Sequence, residues 1–121
     1  MKIQESGQMY LESIFLLKNQ KDLVRSVDVA AFTGYSKPSV SRAMGLLKNA
    51  DLIVISSEGY IDLTEEGKKI ASEMYDRHTF LTDLFVKIGI PKEIASADAC
   101  KIEHVISNET FQALKEFSSQ I

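Results

Sequence analysis

Hydrophobic residues recur at helical spacing along most of the chain, and a short β-rich stretch near its middle interrupts them. Leu11, Ile14 and Phe15 fall on one face of a first predicted helix, which runs from about Ser6, its expected N-cap, to Asn19. The same pattern predicts further helices over residues 26–33, 36–49, 64–88, 96–106 and 108–117. The chain is therefore predicted to be mostly α.

The β-rich stretch consists of two runs, Leu52–Ser56 and Tyr60–Leu63, on either side of a turn that contains Gly59. This arrangement predicts a β-hairpin. The order helix, helix, turn, helix, hairpin and then helices is typical of a winged helix-turn-helix followed by a helical segment. We expect a winged helix-turn-helix domain over residues 1–63 and a helical domain over residues 64–121.

The third predicted helix has the residue types that read DNA. Ser36 is its expected N-cap and Pro38 fits its first turn, and residues 35–49 contain no acidic side chain. The polar face carries Lys37, Ser39, Ser41 and Arg42. Hydroxyl and cationic side chains at the start of a recognition helix bind phosphates and base edges in the major groove. A solvated polar face on a winged helix that binds proteins gives the same pattern, so the residues alone leave both alternatives open.

Charge divides the chain into two unlike parts. The net charge is −3, yet residues 1–50 contain seven Lys/Arg and four Asp/Glu, whereas residues 51–121 contain seven and thirteen. The front part can therefore face a polyanion. The longest apolar runs have four residues, too few to span a membrane, and the N-terminus has no apolar signal core. The single cysteine, Cys100, cannot form an internal disulfide, which fits a cytoplasmic protein.

The back part contains three potential metal ligands at helical spacing. Cys100, Glu103 and His104 lie at i, i+3 and i+4, so on one helix their thiolate, carboxylate and imidazole share a face. This set suits a first-row divalent metal. Met9 and Glu12 on the first helix, and His78 on the long helix, are further candidates. A core cysteine and a surface Glu–His pair are the alternatives, and without an oxyanion loop or a third orienting group we expect no catalysis.

Three stretches resemble the DtxR/MntR family of iron- and manganese-dependent repressors. They are Met9–Phe15, Ser36–Ser41 and Asp98–Ser107, in the family's order and spacing, and the last contains the C-x-x-E-H pattern. The resemblance implies a homodimer that binds a double-stranded DNA operator when loaded with metal. It assigns DNA binding to the winged helix, and dimerisation and metal binding to the helical domain. The length implies a short form without the C-terminal SH3-like domain of many members.

The resemblance also implies individual roles. The positions that match the ligands of the iron-type regulatory site are Met9, Cys100, Glu103 and His104, while Glu12 and His78 match other ligand positions within the family. The positions that match operator contacts are Ser6, Ser26, Ser36, Pro38, Ser39 and Ser41, with Arg42 beside them. Two ancillary ligand positions hold Thr82 and Ser96 instead of a carboxylate and a histidine, which puts an ancillary metal site in doubt.

We therefore expect a metal-activated repressor of metal-uptake genes. Fe(II) is the expected activator and Mn(II) a weaker one, because Met9 and Cys100 offer sulfur donors that are softer than manganese prefers. One alternative is a metal-independent winged-helix regulator in which Cys100 senses oxidation. Another is a small metal-binding or protein-interaction module that never contacts DNA.

Overall fold

The computed structural model describes residues 5–120, and it confirms a mostly α fold with one small hairpin. Within this range the antiparallel sheet has two strands. In chain order the elements are α1 Glu5–Gln20, α2 Ser26–Thr33, α3 Lys37–Asn49, β1 Ile53–Ile55, β2 Ile61–Leu63, α4 Glu65–Lys87, α5 Lys92–Ile102 and α6 Asn108–Ser118.

The chain folds as two compact units that meet within α4, one ending at Ser72 and the other starting at Glu73. The first unit contains the predicted helix-turn-helix and hairpin. Its core contains the apolar faces of the first three helices and both strands, represented by Leu11, Ile14, Val29, Val40, Met44, Ile53 and Ile61. The predicted division into functional domains at residues 63 and 64 lies at the start of α4 and stays a prediction.

The hairpin that follows α3 forms the wing of the first unit. Ile53 pairs with Leu63 and Ile55 with Ile61, and Gly59 in the connecting turn has a positive φ of 89°. The Ile61 N–H donates to the carbonyl oxygen of Val24 at 2.7 Å, which joins the wing to the segment before α2. The wing is therefore hydrogen-bonded on both edges of β2.

Three sequence-based element boundaries are wrong. Ser6 is not an N-cap, because α1 already includes Glu5. The fifth helix begins directly after Pro91, whose carbonyl accepts the Ala95 N–H, and not at residue 96. It ends at Ile102 and not at residue 106, because residues 103–106 form a turn in which the Val105 and Ile106 N–H groups both donate to the Ile102 carbonyl. Ser107 then caps α6 by accepting the N–H of Thr110 at 3.1 Å.

The second unit consists of the remainder of α4 with α5 and α6. Leu81, Ala99 and Phe111 are buried at its centre, and the rings of Phe80 and Phe111 meet edge to face with centroids 5.4 Å apart. The turn over residues 103–106 lies between α5 and α6. In the part of the chain that the structure describes, no helix is both long and apolar enough to cross a bilayer.

Candidate metal centre and DNA-binding helix

The start of α3 is built as the sequence predicts. Ser36 has an extended backbone, and its Oγ accepts the N–H of Ser39 at 3.3 Å, which confirms it as the N-cap. The Ser36 hydroxyl also donates to Ser39 Oγ at 2.9 Å. Pro38 lies in the first turn, where the absence of an N–H removes no helical hydrogen bond. The helix thus begins with a rigid, capped end.

The predicted DNA-contacting side chains of α3 share one property, which is exposure to solvent. Val40, Met44 and Leu47 are buried on the opposite face. The exposed set is Ser36, Lys37, Pro38, Ser39, Ser41 and Arg42. Ser6 is exposed near the start of α1, and Ser26 is half-buried as the first residue of α2. Their contact with DNA stays a prediction.

Sequence reasoning missed Arg25, which connects the start of α2 with the wing. Its guanidinium carbon lies 4.6 Å from the centre of the Tyr60 ring, and its backbone N–H donates to Asp28 at 2.8 Å.

At the wing tip, the Ser57 hydroxyl donates to Glu58 at 2.7 Å and lowers the pKa of that carboxyl below its usual range. Glu58 is therefore a stable anion, and a poor contact for a phosphate.

The second unit brings together three of the six predicted metal ligands. Glu103 is completely buried, and its Oε2 lies 2.9 Å from His78 Nδ1. Its other oxygen, Oε1, lies 3.2 Å from His104 Nε2. Oε1 is buried and accepts no hydrogen bond within residues 5–120. A buried carboxylate oxygen without a hydrogen bond is costly unless another group binds it.

The chain holds this cluster at the end of α5. Glu103 directly follows the helix and keeps a helical backbone, with its N–H bonded to Ala99 at 2.9 Å. His104 therefore lies in the turn beyond the helix, and not on the helix as the sequence predicts. Arg77, which sequence reasoning did not identify, donates to the carbonyl oxygens of Glu103 and Ile106 from α4. No spacing signal links residues so far apart in sequence.

The other three predicted ligands lie on two different helices and differ in their burial. Cys100 lies on α5 with an exposed side chain. Met9 and Glu12 lie on α1, three residues apart, and Glu12 is buried. A buried carboxylate is uncommon unless it is paired or binds a cation. The structure thus confirms that these three residues lie on the predicted helices, while their role as ligands stays a prediction.

The donors of the second unit fit a divalent metal ion. An imidazole nitrogen and a carboxylate oxygen that lie side by side are ligands for first-row divalent metals.

The two positions that the resemblance assigns to an ancillary metal site hold Ser96 and Thr82. The Ser96 hydroxyl lies 3.3 Å from His78 Nε2. Thr82 is buried, and its hydroxyl makes no hydrogen bond among the described residues. Asp83 and Asp98 nearby in sequence are exposed.

Comparisons with known proteins agree with these features. Residues 64–121 match the family described as iron dependent repressor, metal binding and dimerisation domain. The transcriptional regulator MntR of Escherichia coli O157:H7 is 34% identical over 111 residues, which cover 92% of this chain and 72% of that protein. The iron-dependent repressor IdeR of Mycobacterium tuberculosis is 28% identical over 91% of this chain and 48% of its own length.

A solved structure supports the fold independently. The manganese regulator SloR superposes with a TM-score of 0.82 and 22% identity, over 98% of this chain and 55% of that one. The family's members are dimeric DNA-binding repressors and not enzymes. This agrees with the capped, acid-free α3 and with the buried carboxylate–imidazole cluster. The chain therefore belongs to the DtxR/MntR family of metal-dependent transcriptional regulators.

Proposed function

We propose that this protein is a cytoplasmic homodimer that represses metal-uptake genes when it holds a divalent metal ion. The observation that carries the proposal is the buried carboxylate of Glu103, with His78 at one oxygen and His104 at the other. Among the described residues Oε1 accepts no hydrogen bond, and a buried carboxylate oxygen of this kind is suited to a cation. The acid-free, exposed face of α3 supplies the surface for the operator.

The proposed ligands come from both parts of the chain. Glu103 and His104 are the central pair, and His78 either completes the set or holds Glu103 in place through its Nδ1. The full proposed set is Met9, Glu12, His78, Cys100, Glu103 and His104. The sequence resemblance supports the α1 ligands and Cys100. A bound ion would supply a positive charge that several donors can share.

The proposed ligand set suggests how metal binding and DNA binding are coupled. Met9 and Glu12 belong to α1, the helix that precedes the helix-turn-helix, while Cys100, Glu103 and His104 belong to the end of α5. Ligands from both parts that hold one ion would restrict the DNA-binding unit to fewer arrangements. In a dimer, an operator with two half-sites favours arrangements with the correct half-site spacing.

The proposed DNA contacts lie on the first three helices. Lys37 and Arg42 are the cations of the exposed α3 face, and the serines offer short hydroxyls that bind phosphates or bases. The complete proposed set is Ser6, Ser26, Ser36, Lys37, Pro38, Ser39, Ser41 and Arg42. The exposure of every member except the half-buried Ser26 supports the proposal, and so does the absence of acidic side chains from α3.

Fe(II) is the proposed physiological activator. The sulfur atoms of Met9 and Cys100 make a softer site than manganese prefers, since manganese favours carboxylate, carbonyl and water oxygens. Replacing both residues, Met9→Asp with Cys100→Glu, should then shift the preference towards Mn(II). Activation of the unmodified protein by Mn(II) at a lower free concentration than Fe(II) would contradict this assignment.

Mn(II) is the second candidate, and two observations favour it. The Cys100 side chain is exposed, whereas the buried donors in the second unit are oxygen and nitrogen atoms. A relative that is 34% identical is a regulator named MntR. An anaerobic titration with Fe(II) and Mn(II) side by side decides between the two metals.

The exposed Cys100 also keeps open a metal-independent regulator that senses oxidation. The two functions differ in their response to a chelator. In the metal-dependent protein, a chelator abolishes operator binding and Cys100→Ser impairs metal activation. In the redox regulator, a chelator has no effect, and Cys100→Ser removes the response to peroxide.

The central experiment measures DNA binding by fluorescence anisotropy under anaerobic conditions. The operator is selected from a random pool of duplex DNA in the presence of Fe(II) or Mn(II), and the chelated protein is the control. We expect Glu103→Gln to abolish metal-dependent binding and Glu116→Gln, an exposed carboxylate on α6, to leave it unchanged. Full metal activation of Glu103→Gln would contradict the proposed site.

A further inference from the structure

Arg77 reaches from α4 to the turn that carries two of the proposed metal ligands. It directly precedes His78 in sequence, and its side chain is half-buried. Its Nη1 donates to the Glu103 carbonyl oxygen at 3.0 Å and to the Ile106 carbonyl oxygen at 2.9 Å. One guanidinium nitrogen therefore joins the first and last residues of the turn over 103–106.

The hydrogen bond to Glu103 satisfies a carbonyl that the C-terminus of α5 itself leaves open. The last carbonyls of an α-helix have no partner within the helix, and they carry the partial negative charge of its C-terminus. A cation that donates to them is favoured on both counts. Because a guanidinium is planar and its donors have fixed directions, it holds two acceptors in a defined geometry, which a lysine ammonium does not.

The guanidinium is in turn held by the core of the second unit. Its central carbon lies 5.2 Å from the centre of the Phe111 ring, a distance at which a cation and an aromatic face attract each other. Phe111 is buried and packs edge to face against Phe80. The Arg77 guanidinium therefore contacts the buried Phe111 ring and also donates hydrogen bonds to the turn.

Glu103 is consequently fixed at two points from the same helix. Arg77 holds its main-chain carbonyl, and His78 holds its carboxylate at 2.9 Å. We propose that Arg77 is a positioning residue for the metal site, which fixes the turn over 103–106 and thereby aims the Glu103 carboxylate and the His104 imidazole. This inference rests on the proposed function, because it assumes that these two side chains bind the ion.

The test compares Arg77→Met with Lys115→Met. Lys115 is a suitable control, because its ammonium lies 5.5 Å from the centre of the same Phe111 ring. Affinity for Mn(II), and for Fe(II) under anaerobic conditions, is measured by calorimetry on the full chain. We expect Arg77→Met to bind either metal about 10- to 100-fold more weakly, as for other residues that orient metal ligands. Lys115→Met should bind as the unmodified protein does.

Two further readouts separate positioning from a general loss of stability. The visible spectrum of the Co(II)-loaded protein reports ligand geometry, and it should change in Arg77→Met and not in Lys115→Met. In the metal-free protein, the amides of Val105 and Ile106, both bonded to the Ile102 carbonyl, should exchange faster in Arg77→Met. Arg77→Lys keeps the charge without the planar donors, and it should recover part of the affinity.

The possible failures are distinguishable. A lower melting temperature of Arg77→Met with unchanged metal affinity and an unchanged Co(II) spectrum would show that Arg77 only stabilises the fold, and would overturn the inference alone. If the unmodified protein binds neither Mn(II) nor Fe(II), the proposed function fails and the inference fails with it.

Discussion

At the residue scale, the hydroxyls at the start of α3 are not equivalent. A serine hydroxyl has one hydrogen to donate, and Ser36 donates it to Ser39 Oγ while it also caps the helix. Ser41 and Arg42 lie on the exposed side of the helix without a role in capping. We therefore expect Ser36 to act mainly through helix geometry, and Arg42 to contribute more to operator affinity.

Arg42→Ala and Lys37→Ala should both weaken operator binding. Each removes one of the three cations of α3, a helix without acidic side chains, and so weakens its attraction for phosphate. Loss of a single phosphate contact lowers the slope of log K against log salt by about 1, and loss of a bidentate base contact costs about 1–3 kcal/mol. Anisotropy titrations of the metal-loaded protein at several salt concentrations measure both quantities.

Lys48→Ala is the matched control for these two variants. Lys48 is an exposed cation in the last turn of α3, far from the capped end that we propose enters the major groove. It should have the smaller effect on affinity. If the double variant at positions 37 and 42 binds the operator as tightly as the unmodified protein, α3 is not the reading helix.

At the element scale, α2 depends on an ionised side chain. The Asp28 carboxylate accepts the Arg25 backbone N–H at 2.8 Å and lies 3.0 Å from Lys21 Nζ. The first of these bonds, and then the second, lowers the pKa of Asp28. Folding therefore favours the ionised form, so its stabilising effect is complete above about pH 4 and is lost as the pH falls through the lower pKa of the folded protein.

Asp28→Ala should accordingly lower the free energy of unfolding by about 1 kcal/mol at pH 7. The difference from the unmodified protein should shrink below pH 4. Urea unfolding at a series of pH values measures it, with Asp22→Ala, an exposed aspartate in the loop before α2, as the control. A difference that stays constant down to pH 2 would show that charge at Asp28 is not the cause.

The join between the wing and α4 requires a residue without a side chain. The Leu52 carbonyl accepts the Thr64 N–H at 3.1 Å, and a Cβ on Gly67 would collide with that carbonyl oxygen. Gly67→Ala should lower the free energy of unfolding by about 1–3 kcal/mol. Gly45→Ala in α3, where a Cβ has open space, should instead stabilise by about 0.5–1 kcal/mol. Thermal unfolding compares the two variants, and equal stability would contradict the collision.

The sequence predicts those elements whose signals are local. Ser36 caps α3 as expected, Thr64 Oγ1 accepts the Gly67 N–H at the start of the helix predicted over residues 64–88, and Gly34 ends α2 with a positive φ of 79°. The limits of α5 could not be read from spacing alone, because the apolar pattern continues to Ile106 through residues that form a turn after Ile102.

The candidate site also contains features that the sequence predicts and features that it does not. The i, i+1 pair Glu103–His104 is visible in the sequence, and the structure brings its side-chain atoms within 3.2 Å. The predicted common face with Cys100 depends on a helix that continues through His104, and that helix ends at Ile102. The role of Arg77 depends on a contact across 26 residues, for which one sequence contains no signal.

At the scale of the whole molecule, the charge excess of each part of the chain agrees with the function proposed for that part. The acidic excess lies in residues 51–121, which contain four of the six proposed metal ligands, and the basic excess lies in residues 1–50, which contain the proposed DNA contacts. A basic surface attracts the phosphate backbone, and this attraction falls steeply with salt. The electrostatic attraction to DNA is therefore expected to depend mainly on the front part, and metal binding is expected to change affinity through conformation.

Coupling through conformation has a thermodynamic consequence that can be measured. If the metal increases operator affinity by some factor, the operator must increase metal affinity by the same factor. A 100-fold activation corresponds to about 2.7 kcal/mol of coupling. Calorimetric titration of Mn(II) into the protein, with and without saturating selected operator, measures one side of this cycle, and anisotropy with and without Mn(II) measures the other. Glu103→Gln should lose both effects together, because it removes the carboxylate that we propose as a metal ligand. The contrary result is an operator affinity that rises with metal together with a metal affinity that the operator does not change. It would show that the added metal acts at the DNA, and not through the buried site.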